Sequence, residues 1–296
     1  TGSDVIDVTT ITVTSSHDPL PSAQVEDTTN VLLVRAVSIA PTSDTDTNLP
    51  GEYAVYTHTV KNEGNSVDTF DFSAVSSDEA FTPTLNSQSE TLAKGATFDL
   101  VLSVELPPSA ISGTTAVTTV TVNNESESAM AAAVDTTTVA RVRGIELSPR
   151  NLTAAGDPGK TVTYTHSVKN LGNSNETVEF SAVPDDGDYD AVVIPAGPLL
   201  FTPEEVKEVK VVVEIPGDAG SDETVATTFT AGVQGHPSFK DEVDDETTVN
   251  LIPDVIFAPP RQGEAYVGTS IVYSHTVKNQ GNGEDTFSFL AGATSR

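Results

Sequence analysis

Along much of the chain, apolar side chains alternate one for one with threonine, serine and charged residues. In the segment Ala54–Asn62 (AVYTHTVKN), Tyr56, His58 and Val60 fall on one face of an extended backbone, and Thr57, Thr59 and Lys61 on the other. Similar alternation marks Val31–Ile39, Thr69–Val75, Thr82–Leu85, Thr97–Leu106, Ala116–Asn123 and Ala129–Val139. Turn signals separate these runs: LPGE at Leu49–Glu52, NEGN at Asn62–Asn65, AKGA at Ala93–Ala96 and the LPPSA stretch around Pro107. No window carries the three-and-four apolar spacing of a helix. The apolar residues are mostly Val, Ile, Leu and Phe set among Thr, and β-branched side chains suit a pleated, half-buried surface. The pattern predicts an all-β chain with seven short strands in the first hundred-odd residues, the signature of a β-sandwich.

The pattern also repeats. YTHTVKNEGN (Tyr56–Asn65) recurs as YTHSVKNLGN (Tyr164–Asn173) and YSHTVKNQGN (Tyr273–Asn282), so the histidines stand at 58, 166 and 275. A second marker keeps step with it: DTTNV ends at Val31, DTTTV at Val139 and DETTV at Val249. VDTFDF (Val67–Phe72) matches ETVEF (Glu176–Phe180) and EDTFSF (Glu284–Phe289), and VELPPSA (Val104–Ala110) matches VEIPGDA (Val213–Ala219). A period of 108 or 109 residues between the histidines is the size of one sandwich, not of a solenoid unit. The predicted organisation is the C-terminal part of a repeat at 1–31, complete repeats at 32–140 and 141–250, and the N-terminal part of a repeat at 251–296. Half a sandwich leaves its core open. Two arrangements would complete it, a longer chain or strand addition from a neighbouring copy. The two halves together fall roughly 30 residues short of a repeat, which favours the first. The junctions TTTVARVRGIELSP (Thr136–Pro149) and TTVNLIPDVIFAPP (Thr247–Pro260) lack a Gly/Ser tract, so hinge motion there is expected to be restricted. Strands of about ten residues at roughly 3.3 Å each give units of about 30 Å, and end-to-end stacking a rod on the order of 100 Å or more.

Charge narrows the function classes. The net charge is −29, from 43 acidic and 14 basic residues. Nucleic acid and anionic lipid surfaces are bound through Lys and Arg, so neither is an expected partner. An acidic surface of this kind is suited to a salty or divalent-rich medium, where screening relieves self-repulsion. Cysteine is absent, which excludes disulfides, thiolate zinc sites and thiol nucleophiles. No apolar run reaches the length of a membrane span, and the first residues do not read as a signal peptide; a secretion signal is expected outside this segment.

Candidate chemistry is sparse. His58, His166 and His275 could bind a metal or sense pH, but each repeat holds one histidine and a first-row metal asks for three or four ligands. A semi-buried histidine, hydrogen-bonded inside the sandwich, is the expectation. Tyr56, Asn62 and Gly64, Tyr164, Asn170 and Gly172, and Tyr273, Asn279 and Gly281 complete the repeated motif. The Asn-x-Gly-Asn strings read as tight turns, with glycine supplying a positive φ. Lys61, Lys169 and Lys278 face the threonine side, which suits a solvated or ion-paired lysine better than an isopeptide crosslink. Three acidic runs read as loops: DTDTN (Asp44–Asn48), DDGDYD (Asp185–Asp190) and DEVDDE (Asp241–Glu246). Calcium wants six to eight oxygens, and the second comes nearest, through Asp185, Asp186, Asp188 and Asp190. No other cofactor is expected. Asn124, Asn151 and Asn175 head glycosylation sequons. No catalytic motif stands in a fitting context, so no enzyme activity is expected.

The string Y-[TS]-H-[TS]-V-K-N-x-G-N, followed by DTF, a later LPPSA or IPGDA and a closing DTTTV, resembles the conserved surface-repeat domains of bacteria and archaea, including CARDB-like modules. The resemblance covers nearly the whole chain. It implies tandem immunoglobulin-like seven-stranded sandwiches in a large extracellular or cell-surface protein of the S-layer, sheath or adhesin type, and no shared catalytic residue. The expected function is a structural segment, a stiff stalk, sheath or filament whose partners are neighbouring repeats or further copies of itself. The alternative is an adhesin or carbohydrate-binding module acting through loops at the sandwich tips. That reading looks for exposed loop aromatics, of which Phe81, Tyr189 and Phe239 are the candidates; the first two align across units, which points to core.

Overall fold

The computed structural model describes residues 6–18, 21–126 and 128–292. It divides into two units, Thr1–Val142 and Arg143–Arg296. All regular structure among the described residues is β.

The first unit opens with an antiparallel hairpin, β1 (Ile6–Thr14) and β2 (Ser22–Asn30). A sandwich follows, built from β3 (Val37–Ala40), β4 (Ser43–Asn48), β5 (Tyr53–Asn62), β6 (Asp68–Ser76), β7 (Thr82–Leu85), β8 (Ser89–Leu92), β9 (Thr97–Glu105), β10 (Thr115–Asn124) and β11 (Met130–Val139). One sheet runs β3-β5-β9-β7 and the other β4-β11-β10-β6-β8. Every pairing is antiparallel except β4 with β11, which is parallel from Ser43 opposite Val134 to Asn48 opposite Val139.

The second unit repeats the design with β12 (Ile145–Ser148), β13 (Thr153–Gly156), β14 (Thr161–Asn170), β15 (Glu176–Pro184), β16 (Asp190–Ile194), β17 (Leu199–Phe201), β18 (Val206–Glu214), β19 (Thr224–Val233) and β20 (Lys240–Val249). Its sheets are β12-β14-β18-β16 and β13-β20-β19-β15-β17, and β13 pairs with β20 in parallel. The short antiparallel pair β21 (Val255–Ala258) and β22 (Thr276–Asn279) comes after it.

The alternation read from the sequence becomes the two faces of each sheet. Along β5 every second residue from Ala54 to Asn62 is buried, and β14 repeats this from Val162 to Asn170. Between the sheets lie Tyr56, Phe70, Phe81, Leu100 and Leu102 in the first sandwich, and Tyr164, Phe201, Val211, Ile215 and Phe229 in the second. Burying each large aliphatic or aromatic side chain contributes about 1.5–3 kcal/mol, and the burial of such side chains is the main driving force for the fold.

Each sandwich has nine strands, not the seven expected. The additions in the first sandwich are β4 and β8. β4 reads SDTDTN, with no apolar residue to alternate; backbone pairing to β11 at the sheet edge holds it. Two of the acidic runs taken for loops are therefore strand, Asp44–Asn48 in β4 and Asp241–Glu246 in β20. The predicted strand Val31–Ile39 is regular only from Val37, because the backbone at Val34 and Ala36 bonds to the Asn62–Asn65 turn instead of to a sheet.

Candidate functional site

The repeated motif forms one buried polar column in each sandwich. β5 aims Tyr56, His58 and Asn62 inward, and all three are almost completely buried. Nδ1 of His58 lies 2.8 Å from the Pro41 carbonyl and Nε2 lies 2.8 Å from the Asp135 carboxylate. In the second sandwich Nδ1 of His166 lies 3.0 Å from the Pro149 carbonyl and Nε2 lies 2.7 Å from Asp245. One tyrosine stands beside each pair. Tyr56 donates to the Thr136 carbonyl at 3.0 Å, with Thr137 Oγ1 at 2.8 Å; Tyr164 donates to the Glu246 carbonyl at 2.7 Å, with Thr247 Oγ1 at 2.8 Å.

The geometry fixes the protons. A carbonyl only accepts, so Nδ1 carries a hydrogen in both rings. A second proton then lies between Nε2 and the carboxylate, and the pair as a whole is neutral. Burial opposes charge on His166, but the hydrogen bond and negative charge of Asp245, together with the Pro149 carbonyl, outweigh it and hold its pKa above the ordinary histidine value. Burial raises the Asp135 carboxyl, against the hydrogen bond and charge of His58. Burial likewise raises the Tyr56 and Tyr164 hydroxyls. With both ring nitrogens engaged, His58 and His166 have no lone pair for a metal. They are structural histidines.

Asn62 closes the column. Its Nδ2 donates to the carbonyls of Ser66 at 2.8 Å and Leu92 at 2.9 Å, and its Oδ1 accepts the Gly64 amide at 2.8 Å. Asn170 repeats this with Ser174, Thr202 and Gly172. Gly64 does not take the positive φ expected of it. It is needed for close approach, because a Cβ there would stand 2.7 Å from the Val34 carbonyl oxygen. Gly281 is confined the same way, 2.6 Å from the Ile252 carbonyl oxygen.

The third copy is built differently. His275 keeps the local hydrogen bond, with Nδ1 2.8 Å from the Pro259 carbonyl, and its exposed ring lies 5.1 Å from that of Phe257. Asn279 still donates to Gly283 at 2.7 Å and accepts from Gly281 at 3.0 Å. Tyr273 is 42% exposed and lies outside regular structure.

The remaining sequence candidates are dispersed. Asp185 accepts the Ala226 amide at 3.0 Å and Asp186 accepts the Asp188 amide at 2.9 Å, while Tyr189, next along the chain, is buried and donates to Glu223. Burial and the Glu223 charge push the Tyr189 hydroxyl up to about 12. Asp190 starts β16, and among the described residues no three His, Cys, Asp or Glu side chains gather as a metal site. The Asn124 amide is buried and bonds Asp68, Ser126 and Ser128, so a glycan on that nitrogen would displace these partners. Asn151 and Asn175 are exposed. Lys61 pairs with Glu63 at 2.9 Å and Lys169 with Glu204 at 2.6 Å, both near solvent.

The sequence reading missed Asp135, Asp245 and the prolines. The signal was present: Asp27, Asp135 and Asp245 open the second marker, and Pro41, Pro149 and Pro259 recur in step within IAPT, LSPR and FAPP. Each of these prolines follows a cis peptide bond.

No family model matches the chain, and no curated protein matches it. Among solved structures, it is similar to protocadherin gamma C5 EC1-3 at 14% identity, over 82% of this chain and 77% of that one, with a TM-score of 0.42. The mouse clustered PcdhgC3 EC1-3 structure shows 14% identity over 84% and 78%, with a TM-score of 0.40. The class 5 fimbriae chaperone CfaA shows 13% identity over 72% and 99%, with a TM-score of 0.27.

Proposed function

We propose that this chain is a structural segment of an extracellular or cell-surface protein, in which immunoglobulin-like repeats of the surface-repeat kind supply length and stiffness. The observation that carries the reading is the duplicated buried column. Tyr56, His58, Asn62 and Asp135 in one sandwich and Tyr164, His166, Asn170 and Asp245 in the next make the same bonds, all directed to holding two sheets together. None of these groups is presented to a ligand. The partners in this reading are neighbouring repeats or further copies of the chain, and catalysis has no part in it. The adhesin alternative gains little support. Of its three loop aromatics Phe81 and Tyr189 are core residues, and only Phe239 reaches solvent.

Small-angle scattering from the full chain tests the proposal. The expected result is an extended particle whose maximum dimension approaches the sum of its repeats, on the order of 100 Å. A compact globule would overturn the rod.

A further inference from the structure

The second asparagine of the Asn-x-Gly-Asn turn does something the turn itself does not require. In the second unit, Asn282 reaches back across the chain to the end of the preceding sandwich. Its Oδ1 accepts the Ile252 amide at 2.7 Å, and its Nδ2 donates to the Asn250 carbonyl at 2.9 Å and to the Ala219 carbonyl at 3.2 Å. Its own carbonyl accepts the Ser221 amide at 2.9 Å. One side chain therefore joins the turn after β22, the segment leaving β20 and the loop between β18 and β19. Next to it, a Cβ on Gly283 would overlap the Ser221 hydroxyl and stand 2.8 Å from its Cβ. The receiving loop is braced from behind, since Glu223 accepts the Gly220 amide at 3.1 Å and the Tyr189 hydroxyl at 3.2 Å.

We propose that Asn282 and Gly283, seated on Ala219–Ser221, form a lock that fixes the segment following β20 on the sandwich before it. An asparagine side chain offers two donors and an acceptor at once, which suits it to tie three backbone points together. The requirement for glycine at 283 is steric. The asparagine and the receiving loop belong to the repeated pattern, since the turn occurs as NEGN, NLGN and NQGN and the loop is entered through IPGDA, the counterpart of LPPSA; the glycine is particular to this copy, with Ser66 and Ser174 in its place in the other two. In the first unit Asn65 makes the corresponding bonds to its own incoming segment, accepting from the Val34 amide at 2.9 Å and donating to the Leu32 carbonyl at 2.8 Å. The lock is made of backbone and amide groups and includes no carboxylate, so it is expected to work without a metal ion.

The lock rests on reading the chain as consecutive repeats. Scattering tests that reading and amide exchange tests the lock, so the two fail separately. Hydrogen exchange on the full chain should show the Ile252 and Ser221 amides exchanging roughly tenfold faster in Asn282→Ala, while Phe229 in the sandwich and Val277 in β22 are unchanged. Gly283→Ala should open the same two amides, and adding Ser221→Gly should close them again by removing the overlap. Unchanged exchange at Ile252 and Ser221 in Asn282→Ala would overturn the lock. So would equal loss of protection across β21 and β22, which would mean that Asn282 holds only its own segment. A failed rescue by Ser221→Gly would overturn the steric half. A chelator that loosened Ile252 as much as Asn282→Ala would show that a metal holds the junction, and would overturn its metal-independent chemistry.

Discussion

YTHSVKN in β14 and YSHTVKN before and within β22 are nearly the same heptapeptide in two settings. In the second sandwich the ten residues Thr161–Asn170 form one strand with every second side chain buried. In the third copy Thr276–Asn279 is the strand part of the heptapeptide, Tyr273 is exposed, and His275 keeps its proline bond with no carboxylate partner among the described residues. What survives in both is local. The Asn turn and the Nδ1 bond to proline span at most 17 residues. What the described residues show only around His166 is the part supplied by β20, 79 residues further along. Strand propensity and alternation are equal in the two copies, so the difference measures what a facing sheet contributes.

The largest effect should come from removing that distant partner. Asp245→Ala leaves His166 buried with an unpaired Nε2, and is expected to destabilise the second sandwich by about 3–5 kcal/mol in denaturant unfolding. His275→Ala should change nothing beyond about 0.5 kcal/mol. A small effect at Asp245 would mean that the buried pair does not hold the sheets. Next, Asn170→Ala strands the Gly172 amide and the Ser174 and Thr202 carbonyls, at a cost of about 2 kcal/mol. The same change at Asn279, where water can replace the side chain, should cost a few tenths. Tyr164→Phe removes the bonds to Glu246 and Thr247 and is expected to cost about 1 kcal/mol, with Tyr273→Phe silent.

The smallest effect is that of pH. The folded His166 pKa is raised above the ordinary value of 6.5. The folded state therefore binds this proton more tightly than the unfolded state does. The stability it contributes is complete below 6.5 and is lost as pH rises through the higher folded value. Unfolding midpoints from neutral to alkaline pH should show that decline in the second sandwich, and His166→Leu should flatten it. A rise in stability over the same range would reverse the assignment of the shared proton.

Much of this was legible in the chain itself. The inward face of β5, with His58 on it, and the burial of Phe81 and Tyr189 follow from alternation and repetition, because a period of two maps directly onto the faces of a sheet. The His–Asp pairing did not follow. The histidine and aspartate markers lay in step along the chain, but nothing local says that β5 crosses over β11 so that His58 meets Asp135. β4 was missed for a different reason. A strand held by parallel backbone pairing at a sheet edge needs no apolar side chain, so SDTDTN has the composition of a loop. Gly64 was assigned to the wrong cause. Its turn is made by the Asn62 side chain, and the glycine leaves room for the Val34 carbonyl.

The two repeats are not identical in detail. Oδ1 of Asp245 accepts the Leu152 amide at 3.1 Å, whereas Asp135 has a looser backbone hydrogen bond from the counterpart, Asp44. On this count the second column is the better satisfied.

The parallel edge pairs also bear on mechanics. β4 lies near the start of its sandwich and β11 is its last strand, and the two run in the same direction, with Ser43 opposite Val134 and Asn48 opposite Val139. Tension applied to the two ends of the domain draws β4 toward its beginning and β11 toward its end. The strands are then sheared past each other, and the hydrogen bonds between them share the load instead of opening singly from one end. β13 and β20 repeat the arrangement over Thr153–Gly156, so under stretching each sandwich resists at an edge where no apolar residue marks the sequence of β4.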